Sequence, residues 1–346
     1  MRIPESVPWV STGKTLGSGG QAVVHLVTSR DESNDKKYAL KVLKNVNSQQ
    51  AKERFSREIE VVKGLNSPLI AKIIDHSEPE DEFQYYTMEY YEGARTLANI
   101  IYSGLNPFYC NTQKCLALFK KLVLCIQVCE QANPRIVHRD INPKNILVLN
   151  DNTIRLIDFG ICQIQDGQIL TLIDEDVGTR NYTAPECEAG NDSIIGVHSD
   201  LYSAAKVLWS TITSQHAFAR ERPVFENRSM KVMFPQDTLP QHLDTIFENT
   251  IRSDVANRIS TTLKMLELIS EVEYLVERNY PPLSEVGKRC PSCGRASIGE
   301  FPQGHSVFGN PNPRGIKSLL CAICGFGFVR DINKLRYNYS KFLNAE

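Results

Sequence analysis

The sequence predicts an α+β protein in three parts: an antiparallel sheet plus one helix, a mainly helical lobe, and a small C-terminal module. Three observations carry this. The first eighty-odd residues alternate as β-strands do, and one helical run interrupts them. From Leu97 to about Asn279 the apolar residues recur mostly at helical spacing. The last part holds two Cys-x-x-Cys pairs in a stretch with few large apolar groups.

Taken in order, KTLGSGGQAVVHLVTS has glycines between two β-prone runs, and KKYALKVLK is a further short strand. In SQQAKERFSREIEVVKGL, the spacing of Phe55, Ile59, Val62 and Leu65 predicts a helix, with Gly64 and Pro68 as stop signals. SPLIAKIIDHSE and FQYYTMEYYEG return to strand character. KCLALFKKLVLCIQVCEQ is interrupted by Lys120 and Lys121, which predicts a buried amphipathic helix. NILVLN and IRLIDFG are short strands. SDLYSAAKVLWSTIT predicts a helix buried nearly all round, and DTIFENTI and TTLKMLELISEVEYLV are amphipathic. In NYPPLSEVGKR consecutive prolines cannot continue a helix, so this stretch predicts a linker. No internal repeat is visible.

The chain of 346 residues is long enough for two or three folding units. With 42% hydrophobic and 23% charged residues, the composition excludes wholesale disorder. The net charge of −1 hides an asymmetry: from Lys288 onward nine basic residues face three acidic ones. No apolar stretch is long enough to span a bilayer, and MRIPESVPWV does not read as a signal peptide. A cytoplasmic location without a membrane partner is therefore expected. Six scattered cysteines (Cys110, Cys115, Cys125, Cys129, Cys162 and Cys187) suit free thiols in a reducing compartment.

The chemistry-bearing residues begin with LGSGGQAVVHLV. Gly17, Gly19 and Gly20 fit a flap whose backbone N–H groups cover phosphates, or equally a hairpin turn with a bulge. Their company decides. YALK supplies Lys41 on a strand and FSREIEVV supplies Glu58 on a helix; such a pair can hold the ammonium against α- and β-phosphates. HRDINPKN supplies Asp140 and Asn145, and LIDFG supplies Asp158. GTRNYTAPE, Asp200 and Arg258 follow. In this order and with these gaps, residues 10 to 279 resemble a eukaryotic-type (Hanks-type) serine/threonine protein kinase domain.

The resemblance implies a two-lobed domain over residues 1–280, with lobes at about 10–90 and 94–279. It implies transfer of the γ-phosphoryl group of ATP to Ser/Thr hydroxyls of a protein substrate. Such transfer needs positioning and charge neutralisation more than covalent chemistry. By resemblance, Asp140 is the base, and Asn145 and Asp158 hold Mg2+ or Mn2+, hard ions that take oxygen ligands. Val24, Ala39 and Leu147 match the positions that sandwich adenine. Glu89 and Tyr91 match the hinge, with Met88 behind them. Thr179 matches the threonine that touches the catalytic Asp, implying Ser/Thr specificity. Glu186 and Arg258 match a buried ion pair, and Asp200 matches the brace of the catalytic loop.

The chain departs from the family pattern in two places. Asn142 stands where serine/threonine kinases usually carry a Lys on the γ-phosphate, and Lys144 is the nearest cation. Lys144 could take over, the enzyme could be slower, or the chain could be a nucleotide-binding pseudokinase scaffold. Losing one electrostatic partner costs about 10²–10³ in rate, against accelerations of about 10⁶ or more; activity is expected. Ala22 replaces the third glycine of the flap. Between Asp158 and Glu186, IDEDVGT places Glu175 where the family often has a phosphorylated residue, so a carboxylate there either pairs with Arg139 or belongs to a solvated acidic loop. A small-molecule phosphotransferase shares the Asp–Asn logic but is not expected to combine APE with Asp200 and Arg258.

CPSCG and CAICG supply Cys290, Cys293, Cys321 and Cys324. Four thiolates make a closed tetrahedral Zn2+ site, and the pairs resemble zinc-ribbon knuckles. A redox dithiol would need a βαβ surrounding that is not apparent. The expected layout is a linker over 281–289, a zinc-ribbon module over 290–332 and a basic tail over 333–346. The ribbon is expected to bind a protein partner or recruit substrate, with nucleic acid as the other reading.

Overall fold

Along β3 (Lys37–Leu43) the strand alternation sorts residues onto two faces. Leu40 and Val42 face one side and pack with Val7, Trp9, Val27 and Tyr85. Ala39 and Lys41 face the other side and line a cleft, while Leu43 joins the main core. The computed structural model describes residues 3–160, 162–164, 180–188, 194–218, 228–278, 298–300, 316–321, 326–331 and 336–341.

The smaller lobe is a five-stranded antiparallel sheet of β1 (Trp9–Ser18), β2 (Ala22–Ser29), β3, β4 (Ile73–His76) and β5 (Tyr85–Glu89). Its order is β1-β2-β3-β5-β4. Helix α1 (Gln49–Gly64) starts where the Ser48 hydroxyl accepts the Ala51 N–H at 3.2 Å, satisfying a donor that the first turn leaves orphaned. Its buried side chains include Phe55, Glu58, Ile59 and Val62, the face the helical spacing predicts.

The larger lobe follows with β6 (Arg95–Thr96), α2 (Leu97–Ile101) and α3 (Thr112–Gln131). Next come β7 (Ile136–Val137), a 3-10 turn (Pro143–Asn145), β8 (Ile146–Val148), β9 (Ile154–Leu156) and β10 (Gln163–Ile164). Strands β6, β8 and β9 form one small sheet, and β7 and β10 another. They anchor both ends of the loop between β7 and β8 at the cleft. After α4 (Pro185–Glu188), helix α5 (Val197–Thr213) is buried at every residue from Ser199 to Thr213, with Trp209 fully enclosed. Helices α6 (Met230–Met233), α7 (Thr238–Gln241), α8 (Asp244–Thr250) and α9 (Thr262–Glu277) complete the lobe. One apolar core runs from Leu43 and Phe55 through α3 and α5 to Val276. Among the described residues no helix is long and apolar enough to cross a membrane.

Four further strands, β11 (Ile298–Glu300), β12 (Ile316–Cys321), β13 (Phe326–Asp331) and β14 (Arg336–Lys341), pair antiparallel in sequence order. Tyr337 and Tyr339 lie in the stretch expected as a tail, yet it pairs with β13. Backbone pairing thus runs past the expected boundary at 332; the alternating RYNYSK pattern is the signal for it. Cys290, Cys293 and Cys324 lie outside the described residues, and of Cys321 only the backbone is described.

Candidate active site

Between the lobes lies a cavity of about 600 Å³. Its roof is Gly17 near the end of β1 and Gly19 and Gly20 in the turn to β2, with Val24 and Ala39 beside them. Met88, Glu89 and Tyr91 form the connection between the lobes, and Leu147 lies on the floor. Lys41, Glu58, Asp140, Lys144, Asn145 and Asp158 line the same cavity. Thr179 and the segment around Glu175 lie outside the described residues.

At one wall the Lys41 ammonium donates to both oxygens of Glu58, at 2.7 and 2.9 Å, and to Asp158 Oδ1 at 3.0 Å. Burial alone would lower the Lys41 pKa, but the Asp158 and Glu58 carboxylates outweigh it and hold it well above the ordinary lysine value. Burial raises the Glu58 pKa against the pull of Lys41, whereas at Asp158 Lys41 outweighs burial and the pKa is lowered. Glu58 also accepts the Tyr86 hydroxyl at 2.9 Å and the Phe159 N–H at 3.1 Å. Asp158 has φ +64°, a left-handed conformation that costs energy for a non-glycine residue. Its carboxylate contact with Lys41 helps hold it there.

At the opposite wall Asp140 is clasped by side-chain amides. Asn142 Nδ2 donates to Asp140 Oδ1 at 2.6 Å, and Asn145 Nδ2 donates to Oδ2 at 2.7 Å. The loop carrying them is braced from below. Asp200, on α5, accepts the His138 and Arg139 N–H groups, both at 2.8 Å. Burial outweighs those bonds and pushes the Asp200 pKa up to about 7. His138 is fully buried, and burial lowers its pKa to about 4. Deeper still, Arg258 grips Glu186 in bidentate fashion at 2.7 and 3.0 Å, and the Ser199 hydroxyl adds a third bond at 2.6 Å.

Sequence reasoning missed Tyr86 and Lys44. Tyr86 had a usable signal: it stands directly across from Lys41 in the β3–β5 register, so a phenol beside that ammonium and its carboxylate follows once the strands are paired. Lys44 lies just past β3 and donates to Ser18 Oγ at 2.9 Å and to the Gly19 carbonyl, both in the flap. Nothing in the local sequence marks that contact.

A family model described as protein kinase domain matches residues 10–272. The serine/threonine-protein kinase PrkC of Bacillus subtilis is 30% identical over 263 residues, 73% of this chain and 38% of that protein. The serine/threonine-protein kinase PknB of Mycobacterium tuberculosis is 28% identical over 273 residues, covering 73% and 41% respectively. The matched part thus spans about two fifths of the length of these curated relatives. Among solved structures, the Mycobacterium tuberculosis PknI kinase domain has a TM-score of 0.58 at 22% identity, covering 77% of this chain and 96% of that one.

Proposed function

The chain belongs to the protein kinase domain family, and from that premise we propose that it is an active serine/threonine kinase acting on protein substrates. The observation that carries this reading is the convergence of Lys41, Glu58 and Asp158 with Asp140 and Asn145 around one nucleotide-sized cavity. Lys41 is held against Glu58 and faces Asp158, the arrangement a kinase needs in order to orient phosphates. Ala39, Val24 and Leu147 supply the apolar slot for adenine, and the backbone from Glu89 to Tyr91 supplies its hydrogen-bonding edge.

In the step we assign, the substrate hydroxyl oxygen forms a bond to the γ-phosphorus, and its proton passes to the Asp140 carboxylate. The bond from that phosphorus to the β,γ-bridging oxygen breaks, and ADP leaves with the electron pair. Asn145 spends its Nδ2 on Asp140, so its carbonyl oxygen, with the Asp158 carboxylate, makes an all-oxygen set suited to Mg2+ or Mn2+. Such an ion would neutralise charge on the phosphate oxygens. Lys144, on the cavity wall, is the cation for the γ-phosphate in place of residue 142. By resemblance, Thr179 matches the threonine that favours Ser/Thr acceptors.

The domain layout follows the same reading: kinase domain 1–280, linker 281–289, then a zinc module in which Cys290, Cys293, Cys321 and Cys324 hold Zn2+ and which recruits a protein partner. About one zinc per chain by elemental analysis supports this part; none in protein purified without chelator removes it. The kinase reading is tested with γ-labelled ATP, Mg2+ and a protein substrate. Label is expected on Ser or Thr, and Asp140→Asn should lower kcat by about 10²–10⁴. A wild-type rate in that variant refutes the assignment.

A further inference from the structure

At residue 142 a neutral amide stands where serine/threonine kinases usually carry a lysine, and the structure gives the amide a definite task. Asn142 is 3% exposed, in extended backbone at the entry to the 3-10 turn. Its Oδ1 accepts the Lys144 N–H at 2.9 Å. Its Nδ2 donates to Asp140 Oδ1 at 2.6 Å and to the Asp140 carbonyl at 3.2 Å. The orientation of the amide is chemically fixed. An ionised carboxylate only accepts and a backbone N–H only donates, so turning the amide over would break every one of these bonds.

Asn145 does the same on the other oxygen, donating to Asp140 Oδ2 at 2.7 Å and to the Asp140 carbonyl at 2.9 Å. Two amides on two oxygens stop the carboxylate from rotating about its Cβ–Cγ bond. A carboxylate oxygen has two lone-pair sites, so one amide donor on each does not by itself saturate the carboxylate. A lysine at 142 has no acceptor for the Lys144 N–H, so it could not perform both tasks.

We infer that Asn142 is a positioning residue that locks the Asp140 carboxylate in its proton-accepting orientation, replacing a phosphate-directed charge with a carboxylate-directed amide. The inference rests on the kinase reading and adds to it. Because the amide touches Asp140 and lies in a turn of its own loop, its removal should act on kcat and spare nucleotide binding.

The test uses the full chain with Asn142→Asp and Asn142→Ala. The aspartate keeps an acceptor for the Lys144 N–H but loses the donor to Asp140, and the alanine loses both without adding charge. Steady-state kcat and KM for ATP, MgATP affinity by fluorescence titration, and melting temperature are compared with wild type. Both variants should lose about 10²-fold in kcat, with KM and MgATP affinity within about twofold. A purely structural role would lower the melting temperature of Asn142→Ala and leave Asn142→Asp at the wild-type kcat. That result overturns the inference, as does a loss confined to KM. If Asn142→Asp does not fold, Asn142→Ala decides by the same kcat and KM split. A wild-type chain that binds MgATP but transfers no phosphate overturns the kinase reading and this inference with it. Normal transfer by wild type and both variants overturns this inference alone.

Discussion

The two walls of the cleft hold their acids in opposite ways. At one wall, charge holds charge: Lys41 binds Glu58 and Asp158, 17 and 117 residues away. These partners come from a strand and a helix of the smaller lobe and from a loop of the larger one. At the other, neutral amides two and five residues distant clasp Asp140 within one loop. The first arrangement exists only while the lobes keep their relation. The second is built locally and braced from below by Asp200. Under the proposed kinase reading, orientation of the phosphates is thus tied to lobe geometry, whereas orientation of the base is not.

Glu58→Gln should break this contrast most forcefully. Lys41 is 8% exposed and Glu58 2%, so losing the carboxylate leaves a buried ammonium with one partner in place of two. Breaking a buried pair costs about 3–5 kcal/mol, and Asp158 should hold the loss near the lower end. At about 2–4 °C per kcal/mol for a chain of this size, the melting temperature should fall by about 6–12 °C. The activity kcat/KM should fall by about 10²–10³. Calorimetry and steady-state kinetics on Glu58→Gln and Asn142→Ala together give the comparison its test. The first should lose both stability and activity, the second mainly activity, with a smaller fall in melting temperature. An unchanged melting temperature in Glu58→Gln would mean the charged wall is no more tied to lobe packing than the amide wall.

The same contrast explains what was legible in the sequence. The spacing of Asp140, Asn142 and Asn145 is short and sits in one turn, so the residues could be read directly off HRDINPKN. Lys41, Glu58 and Asp158 carry no local sign of meeting; only their order within a family pattern suggested it. Helix α5 was legible as buried from its apolar run, although Ser199, Ser203, Lys206 and Ser210 recur at helical spacing and are buried through hydrogen bonds that the sequence does not show. Tyr86 was not, since its role depends on strand register. In Arg336–Lys341 the basic charge masks the alternation, and its pairing with β13 shows only in the strand register.

Beneath the amide wall, two neighbouring groups titrate against each other. Burial raises the Asp200 pKa from 3.8 to about 7, so the stability it contributes is present below about pH 4 and lost as pH rises through 7. Burial lowers the His138 pKa from 6.5 to about 4, so its contribution is present above 6.5 and lost as pH falls through 4. Between pH 4 and 6.5 the two slopes oppose. The stability advantage of wild type over Asp200→Asn should therefore shrink as pH rises from 4 to 7, by at most about 1.4 kcal/mol per pH unit. The advantage over His138→Gln should shrink as pH falls across the same window. Urea midpoints at pH 4.5, 5.5 and 6.5 measure both, and slopes of one sign in the two variants would show that the brace does not titrate as its burial requires.

The smallest effect lies in the roof, which neither wall controls. Lys44 reaches from the end of β3 to Ser18 Oγ and the Gly19 carbonyl, and its own N–H bonds the Gln21 carbonyl. Gly19 N–H closes the turn on Ala22. The side chain thus ties the flap to the strand that carries Lys41. Lys44, Ser18, Gly19 and Gln21 are exposed and Ala22 is half-buried, so water competes for these groups, and each bond is worth about 0.5–1 kcal/mol. Lys44→Ala should raise KM for ATP by about two- to fivefold, as a looser flap covers phosphates less of the time. Melting temperature and kcat should stay near wild type, because Lys44 touches neither the Glu58 cluster nor Asp140. Lys44→Arg, which can still donate to Ser18, should recover most of the affinity. A Lys44→Ala variant that loses kcat rather than KM would mean that the flap belongs with the catalytic walls, and that the division between phosphate-holding and base-holding parts is drawn in the wrong place.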